Sequence, residues 1–372
     1  MLYEQYMGLT VYEMTELFAH KYGDSAAISY LEGESVQTVT YNGFLRDVRA
    51  LGAYFESKNL KGKYIAVGMR NTYNQTVCVF AAMAMGAVAV ILNFDLPEDD
   101  IHCALQTAEA AVLITDPEDK DFEFDGKPDM IRLSSDSDIS HILASDTPLL
   151  SKPDVGASSP AAILMTSGST SRSKLVVLPQ SALLPTSDIE SRRSIITFPL
   201  YHIGGIKCLI NDLSRGAHIC LSDFRRGVTD IEWFRPEDAV AIPLFVSTLV
   251  KYAKLGICDL SCFKDIHSGG APQDLESMKY LNSLGIFAAS VYGTTETGGI
   301  NTMFYPDAFK EGSVGRPGPW NEFKISSEGE ILVRGKNVML GYLGDDAATK
   351  DAFDGDWYKT GDIGRLDGDG YL

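Results

Sequence analysis

Between residues 39 and 116, apolar segments of helix length alternate with shorter apolar runs: TYNGFLRDVRALGAYFESKNL, KYIAVGM, TYNQTVCVFAAMAMG, AVAVILN, DDIHCALQTAEA and AVLIT. The short runs are rich in Val, Ile and Leu with little polar alternation. That pattern predicts repeated βα units whose strands form a parallel sheet covered on both faces by helices. Residues 117–160 are richer in Asp, Ser, Pro and Lys, as in a surface excursion between two units. The alternation then resumes. SIITFP, AHICLS, AVAIP, DIHSGG and IFAASVYG read as strand ends, with IPLFVSTLVKYAKLG and PQDLESMKYLNSLG as intervening helices, so a second sheet is expected. Beyond about Gly299 short segments are broken by glycine (SVGRPGP, EFKISSEGEILVRG, NVMLGYLGD, DWYKTGDIGRLDGDGYL), which predicts small antiparallel strands joined by tight turns. The expected class is α/β: two βα-type sheets flanked by helices, plus a small C-terminal antiparallel, barrel-like β subdomain. The expected boundaries are 1–155, 156–300 and 301–372.

Composition narrows the functions available. With 372 residues, 45% of them hydrophobic, the chain can bury a large core. Fifty acidic against 32 basic residues give a formal charge of -18, which argues against a nucleic-acid partner. A compact anion such as ATP stays compatible, because backbone N–H groups, a few nearby cations and a divalent metal outweigh distant net charge. The six cysteines, Cys78, Cys103, Cys208, Cys220, Cys258 and Cys262, lie scattered through apolar runs, without the spacing of a disulfide framework or a zinc site. The N-terminal MLYEQYMGLTVYEMTELF mixes acids into an amphipathic pattern unlike a secretion signal, and no segment has the length and apolarity of a membrane span. The cytoplasm is the expected compartment.

Three loops carry candidate chemistry. In AAILMTSGSTSRSK a strand runs into Thr166, Ser167, Gly168, Ser169, Thr170, Ser171, Arg172, Ser173 and Lys174. Small residues let backbone N–H groups converge on an anion, hydroxyls add donors, and the cations neutralise charge. A P-loop is ruled out, because Lys174 follows Ser173 and precedes Leu175. VYGTTETGG, residues 291–299, ends a strand with Tyr292, which can lie flat on a purine, a glycine that admits close backbone approach, Thr295 as a phosphate donor and Glu296 as a magnesium ligand. HSGGAP, residues 267–272, places two glycines at another strand end. In open α/β sheets ligands sit at the carboxyl edge of the strands, so the three loops are candidates for lining one crevice.

Taken in order, TSGSTSRSK, PLYHIGG, YGTTE, GEILVRGKNVMLGYL and WYKTGDIGRLDGDGYL make the chain resemble the adenylate-forming superfamily of acyl-CoA synthetases, peptide-synthetase adenylation domains and luciferases. TYNGFLRDVRALGAYF and AAMAMGAVAVILNFDLP extend that resemblance through the first third. The resemblance implies a role in phosphate binding for Thr166, Ser167, Gly168, Ser169, Thr170 and Lys174. Gly269, Gly270, Ala271 and Pro272 would edge the adenine. Tyr292 would stack on it, with Gly293 and Thr294 beside it; Thr295 would contact the phosphate next to the acyl group and Glu296 would hold Mg2+. Asp362 would grip the ribose hydroxyls, and His202 would stand near the acid, whose pocket would include Ile203, Gly204 and Phe245. Lys174, His202, Thr295 and Glu296 are the implied catalytic set. The implied reaction joins a small carboxylic acid to AMP and passes it to coenzyme A or to the pantetheine of a carrier protein.

The chain departs from the family loop, which reads glycine, any residue, proline, lysine, glycine where Ser171, Arg172, Ser173, Lys174 and Leu175 stand. A loop with altered flexibility and phosphate affinity is therefore expected. The resemblance also implies a separate C-terminal domain carrying the lysine for adenylation. It is expected to follow LDGDGYL, which ends in the middle of a hairpin-like phrase.

Overall fold

The computed structural model describes residues 2–116, 130–145, 150–166, 173–186, 190–223, 225–303 and 310–372. Three of its helices start on threonine side-chain caps. Thr10 opens the helix Val11–Tyr22 with a capping box: its hydroxyl accepts from the Glu13 N–H, and its own N–H donates to the Glu13 carboxylate. Thr40 and Thr72 cap Tyr41–Ser57 and Tyr73–Ala84 in the same position. In Tyr73–Ala84 every residue except Asn74 is buried, which accounts for a helical segment without a polar face.

That helix is enclosed because it lies between two seven-stranded sheets. Together with Val11–Tyr22, Tyr41–Ser57 and Ile203–Ser214 it fills a central core shared by apolar residues of both sheets. Glu98–Ala108 covers the outer face of one sheet. Pro243–Lys254, Gly227–Phe234 and Leu275–Ser283 cover the outer face of the other. The layering is helix, sheet, helix, sheet, helix.

In the first sheet Tyr64–Gly68, Val88–Ile91, Val112–Thr115, Ile131–Ser134 and Pro160–Thr166 run parallel, and Lys174–Pro179 returns antiparallel to Pro160–Thr166. In the second, Arg193–Ile196, His218–Leu221, Asp238–Ala241, Asp265–Ser268 and Phe287–Ser290 are parallel. The chain order reverses on either side of Arg193–Ile196, so the carboxyl ends of Arg193–Ile196 and Asp238–Ala241 flank a topological switch point. A four-stranded antiparallel sheet of Glu322–Ile325, Glu330–Arg334, Phe353–Asp354 and Trp357–Ile363 forms the C-terminal unit.

The α/β class and the two-sheet plan agree with the sequence pattern; sheet membership does not follow the boundary at residue 155. The hairpin Ala26–Glu32 and Ser35–Thr40 joins the second sheet through pairing of Ile28 with Ile219, while Pro160–Thr166 and Lys174–Pro179 complete the first. Local periodicity identifies a strand but carries no information about its long-range partner. The C-terminal strands form the small antiparallel sheet expected there, of four strands.

A buried ionic cluster ties the second sheet to the central helices. The Arg215 guanidinium donates to Asp212 at 2.6 Å and to Asp238 at 2.5 Å, and all three side chains are nearly inaccessible. Arg215→Ala leaves two carboxylates buried without their cation and is expected to lower unfolding stability by about 3–5 kcal/mol. Arg226→Ala, whose guanidinium is 53% exposed at 3.5 Å from Asp230, is expected to cost about 1 kcal/mol or less. Urea unfolding of the two variants side by side checks the contrast.

Candidate active site

Four neighbouring strands of the second sheet end at one cavity of about 1020 Å³. After Arg193–Ile196 the chain supplies Phe198, His202, Ile203 and Gly204; Asp238–Ala241 supplies Val240; Asp265–Ser268 leads to Gly269, Gly270, Ala271 and Pro272. Phe287–Ser290 leads to Tyr292, Gly293, Thr294, Thr295 and Glu296. Thr166 and Lys174 reach the same cavity from the first sheet, where they are direct cross-strand partners, and Asp362 reaches it from Trp357–Ile363. Three sheets therefore meet at one hollow. Ser167, Gly168, Ser169 and Thr170 lie outside the described residues.

The glycines have separate steric reasons. A Cβ on Gly204 would approach the Phe198 ring at 3.1 Å, and one on Gly205 would run into the Pro199 carbonyl. One on Gly269 would stand 2.8 Å from Val291 Cγ2, while Gly270 has φ +85°. At Gly293 the constraint is severest, because a Cβ would fall on the carbonyl oxygen of Gly299.

The loop after Tyr292 is held from within. The Thr294 N–H donates to Thr297 Oγ1 at 3.1 Å, and the fully buried Asn301 amide donates to Thr297 Oγ1 at 2.5 Å and to the Gly299 carbonyl at 2.6 Å. Asn301 Oδ1 accepts from Asn321, and the Asn301 N–H donates to the Tyr292 carbonyl at 2.8 Å. The Tyr292 hydroxyl donates to Asp362 at 2.8 Å, which joins the loop to the antiparallel sheet. Burial and the neighbouring carboxylate raise the Tyr292 phenol, so it stays protonated.

His202 precedes the helix Ile203–Ser214 and opens onto the cavity, with the Tyr201 ring centroid 5.0 Å away and Phe198 edge-on at 6.5 Å. Desolvation lowers its pKa, so a neutral imidazole faces the cavity near pH 7. Its loop is fixed across the two large sheets by Asn71, whose amide donates to the Phe198 and Ser222 carbonyls at 2.8 and 3.0 Å and accepts from the Leu200 N–H at 2.9 Å. Glu296 accepts at 3.1 Å from the Tyr342 hydroxyl. Among the described residues no group of three or more His, Cys, Asp and Glu is arranged to hold a metal by itself.

Phe245, expected in an acid pocket, is 1% exposed and does not line the cavity. The phase of Pro243–Lys254 turns Phe245, Val246, Leu249 and Val250 into the outer core, where the Phe245 ring packs against Gly227. An apolar helix next to a site signals burial without saying on which side. Several cavity residues are not among the expected site residues, although all but Phe198 lie inside the motifs named above: Phe198, Tyr342, Tyr358 and Thr360. Behind the wall at Gly299 and Ile203 sits Lys207, fully buried, its ammonium donating to the Ala182 and Leu184 carbonyls at 2.9 and 2.5 Å. Among the described residues no carboxylate pairs with it, and burial pushes its pKa down to about 7.

The family described as AMP-binding enzyme matches residues 15–343. The 2-succinylbenzoate–CoA ligase of Bacillus licheniformis is 28% identical over 356 residues, covering 90% of this chain and 73% of its own length. The indoleacetate–CoA ligase of Aromatoleum aromaticum is 29% identical over 343 residues, covering 81% of this chain and 66% of its own. The structure of a Mycobacterium tuberculosis fatty acyl CoA synthetase superposes with a TM-score of 0.85 at 22% identity, over 98% of this chain and 77% of that one, which establishes the fold.

Two outcomes are expected from this geometry. Gly293→Ala displaces the loop bearing Thr295 and Glu296, and AMP affinity measured by calorimetry should fall at least about tenfold, or about 1.4 kcal/mol. For Lys207 the unfolded chain keeps an ordinary pKa of 10.5 against about 7 in the fold, so between those values the unfolded state binds the extra proton and stability rises with pH. The contribution is complete above the upper value and is lost as pH falls through the lower one. Lys207→Met should flatten this rise, seen as a smaller gain in urea midpoint from about pH 7 to about pH 10.

Proposed function

From the premise that this chain belongs to the AMP-binding enzyme family, we propose that it forms the nucleotide and acid sites of an AMP-forming acid–thiol ligase with coenzyme A as acceptor. The observation that carries this reading is the convergence of Lys174, Tyr292, Glu296, Asp362 and His202 on one cavity. The size of the cavity suits a nucleotide together with a small organic acid.

Charge orients the nucleotide. A phosphate chain is repelled by the exposed Asp362, whereas vicinal ribose hydroxyls donate well to its carboxylate. The ribose therefore belongs at the Asp362 end and the phosphates at the Lys174 and Thr166 end, with the base against Tyr292 and Gly269 to Pro272. The acid lies toward His202, Phe198, Ile203, Gly204 and Val240, a weakly polar wall with a neutral imidazole. Both relatives named above act, by their names, on acids with an aromatic ring, and this wall suits an aryl acid.

In the first step a carboxylate oxygen of the acid attacks the α-phosphorus, the α–β phosphoanhydride bond breaks, and pyrophosphate leaves with the electron pair. Lys174 and the Thr295 hydroxyl stabilise the negative charge spread over the phosphoryl oxygens. In the second step a thiolate attacks the acyl carbon of the mixed anhydride and AMP leaves.

Mg2+ fits the donor set, because Glu296 offers one hard carboxylate to the cavity and Mg2+ favours one or two carboxylates plus substrate phosphates over an all-protein cage. Bound there, it would neutralise phosphate charge. His202 stays neutral and orients the acid without adding a positive charge that would trap the carboxylate. The proposed compartment is the cytoplasm; no helix among the described residues is long and apolar enough to cross a membrane.

Acid-dependent pyrophosphate–ATP exchange and CoA thioester formation, measured on the full-length protein with a panel of aryl and aliphatic acids, test the proposal. Exchange and thioester with an aryl acid are expected, and Glu296→Gln should reduce exchange roughly 100-fold. Exchange without a CoA thioester would redirect the acceptor to a carrier protein. Nucleotide binding with no exchange for any acid would overturn the ligase reading in favour of a nucleotide-binding pseudoenzyme.

A further inference from the structure

Tyr342 is fixed by Gly341–Tyr342 pairing with Val176 and Val177, which lie on the same strand as Lys174, two and three residues beyond it. Its two ends meet charges of opposite sign. The Lys174 ammonium lies 4.6 Å from the ring centroid, over the electron-rich face, and the hydroxyl donates to Glu296 Oε1 at 3.1 Å. Tyr342 is 6% exposed and lines both the main cavity and a neighbouring one of about 330 Å³, so with Lys174 it forms the partition between them.

We propose that Tyr342 is a positioning residue that keeps the cation and the carboxylate of the ATP site apart and aimed. The inference rests on the functional reading above, in which Lys174 serves the phosphates and Glu296 the metal. Lys174 and Glu296 line one hollow, and without an intervening group they would neutralise each other as a direct ion pair. Breaking such a pair would oppose every binding event.

The ring gives Lys174 a weaker resting place that phosphate oxygens displace readily. The hydroxyl occupies Oε1 and leaves the second Glu296 oxygen for the metal. The two functions reside on separable parts of one side chain: the π face serves the lysine and the hydroxyl serves the glutamate.

Calorimetric titration of ATP into the protein across a Mg2+ series separates them without relying on turnover. Tyr342→Phe keeps the ring and removes the hydroxyl. It should require about five- to tenfold more Mg2+ for half-maximal ATP affinity, with metal-free ATP affinity unchanged. Tyr342→Leu removes both and should also weaken metal-free ATP binding severalfold. In a Glu296→Gln background, Tyr342→Phe should cause no further shift in the Mg2+ requirement, a coupling that mere loosening of the fold would not produce. Thermal midpoints of Tyr342→Phe and the parent protein should coincide closely.

Superimposable Mg2+ series for the parent and Tyr342→Phe, or additive effects with Glu296→Gln, would overturn the inference alone. A parent protein that binds no ATP at any Mg2+ concentration would overturn the functional reading beneath it as well.

Discussion

Everything at the cavity depends on a single buried amide. Asn301 is inaccessible to solvent, and its side chain and backbone are all engaged: with Thr297 and Gly299 on the loop it closes, with Tyr292 at the loop's start, and with Asn321 and Gly318 beyond it. A loop of glycines and threonines has no hydrophobic anchor of its own, so its conformation must come from hydrogen bonds made away from water, where each is strong and a missing one is costly. The absence of space at Gly293 is the steric counterpart of that network. Together they hold Tyr292, Thr295 and Glu296 at fixed positions on the rim instead of leaving them on a mobile turn.

The second organising feature is the polarity of the hollow. Each of the three sheets contributes charged groups, Lys174 from the first, Glu296 beyond the end of the second and Asp362 from the third, and the Tyr292 and Tyr342 hydroxyls bridge between elements. The net charge of -18 is thereby decoupled from the chemistry, because the local arrangement of a few groups decides where an anion settles. Asn71, which ties the Phe198–Leu200 backbone to the first sheet, sets how the His202 side of the hollow faces the Lys174 side.

Much of this was legible in the sequence, for definite reasons. The short Val/Ile-rich runs become the parallel strands because burial on both faces removes the need for polar alternation, and HSGG, YGTTE and PLYHIGG fall at strand ends because only glycine tolerates the contacts found at Gly205, Gly269 and Gly293. The pairing of Ile28 with Ile219, the inward turn of Phe245 and the burial of Lys207 were not legible. Each is decided by a partner distant in sequence, and Lys207 reads as an ordinary surface residue until the Ala182 and Leu184 carbonyls are seen to receive it. Tyr342 was inside a recognised motif, yet its contacts to Lys174 and Glu296 exist only once the two large sheets are assembled.

The interleaving of the two large sheets has a consequence for how the chain comes into being. The strand Ala26–Glu32 is made near the start of synthesis, but its parallel neighbour is His218–Leu221, and the intervening residues build most of the other sheet. On the ribosome the Ala26–Thr40 hairpin emerges early with one edge unsatisfied and must wait until the nascent chain has grown past Ile219. Contacts of such sequence separation form late and slowly, leaving an open strand edge and the apolar faces of Tyr41–Ser57 and Tyr73–Ala84 without their final cover. The architecture that gathers three sheets around one hollow thus leaves the inner edge of the first hairpin open until the chain has been made past Ile219.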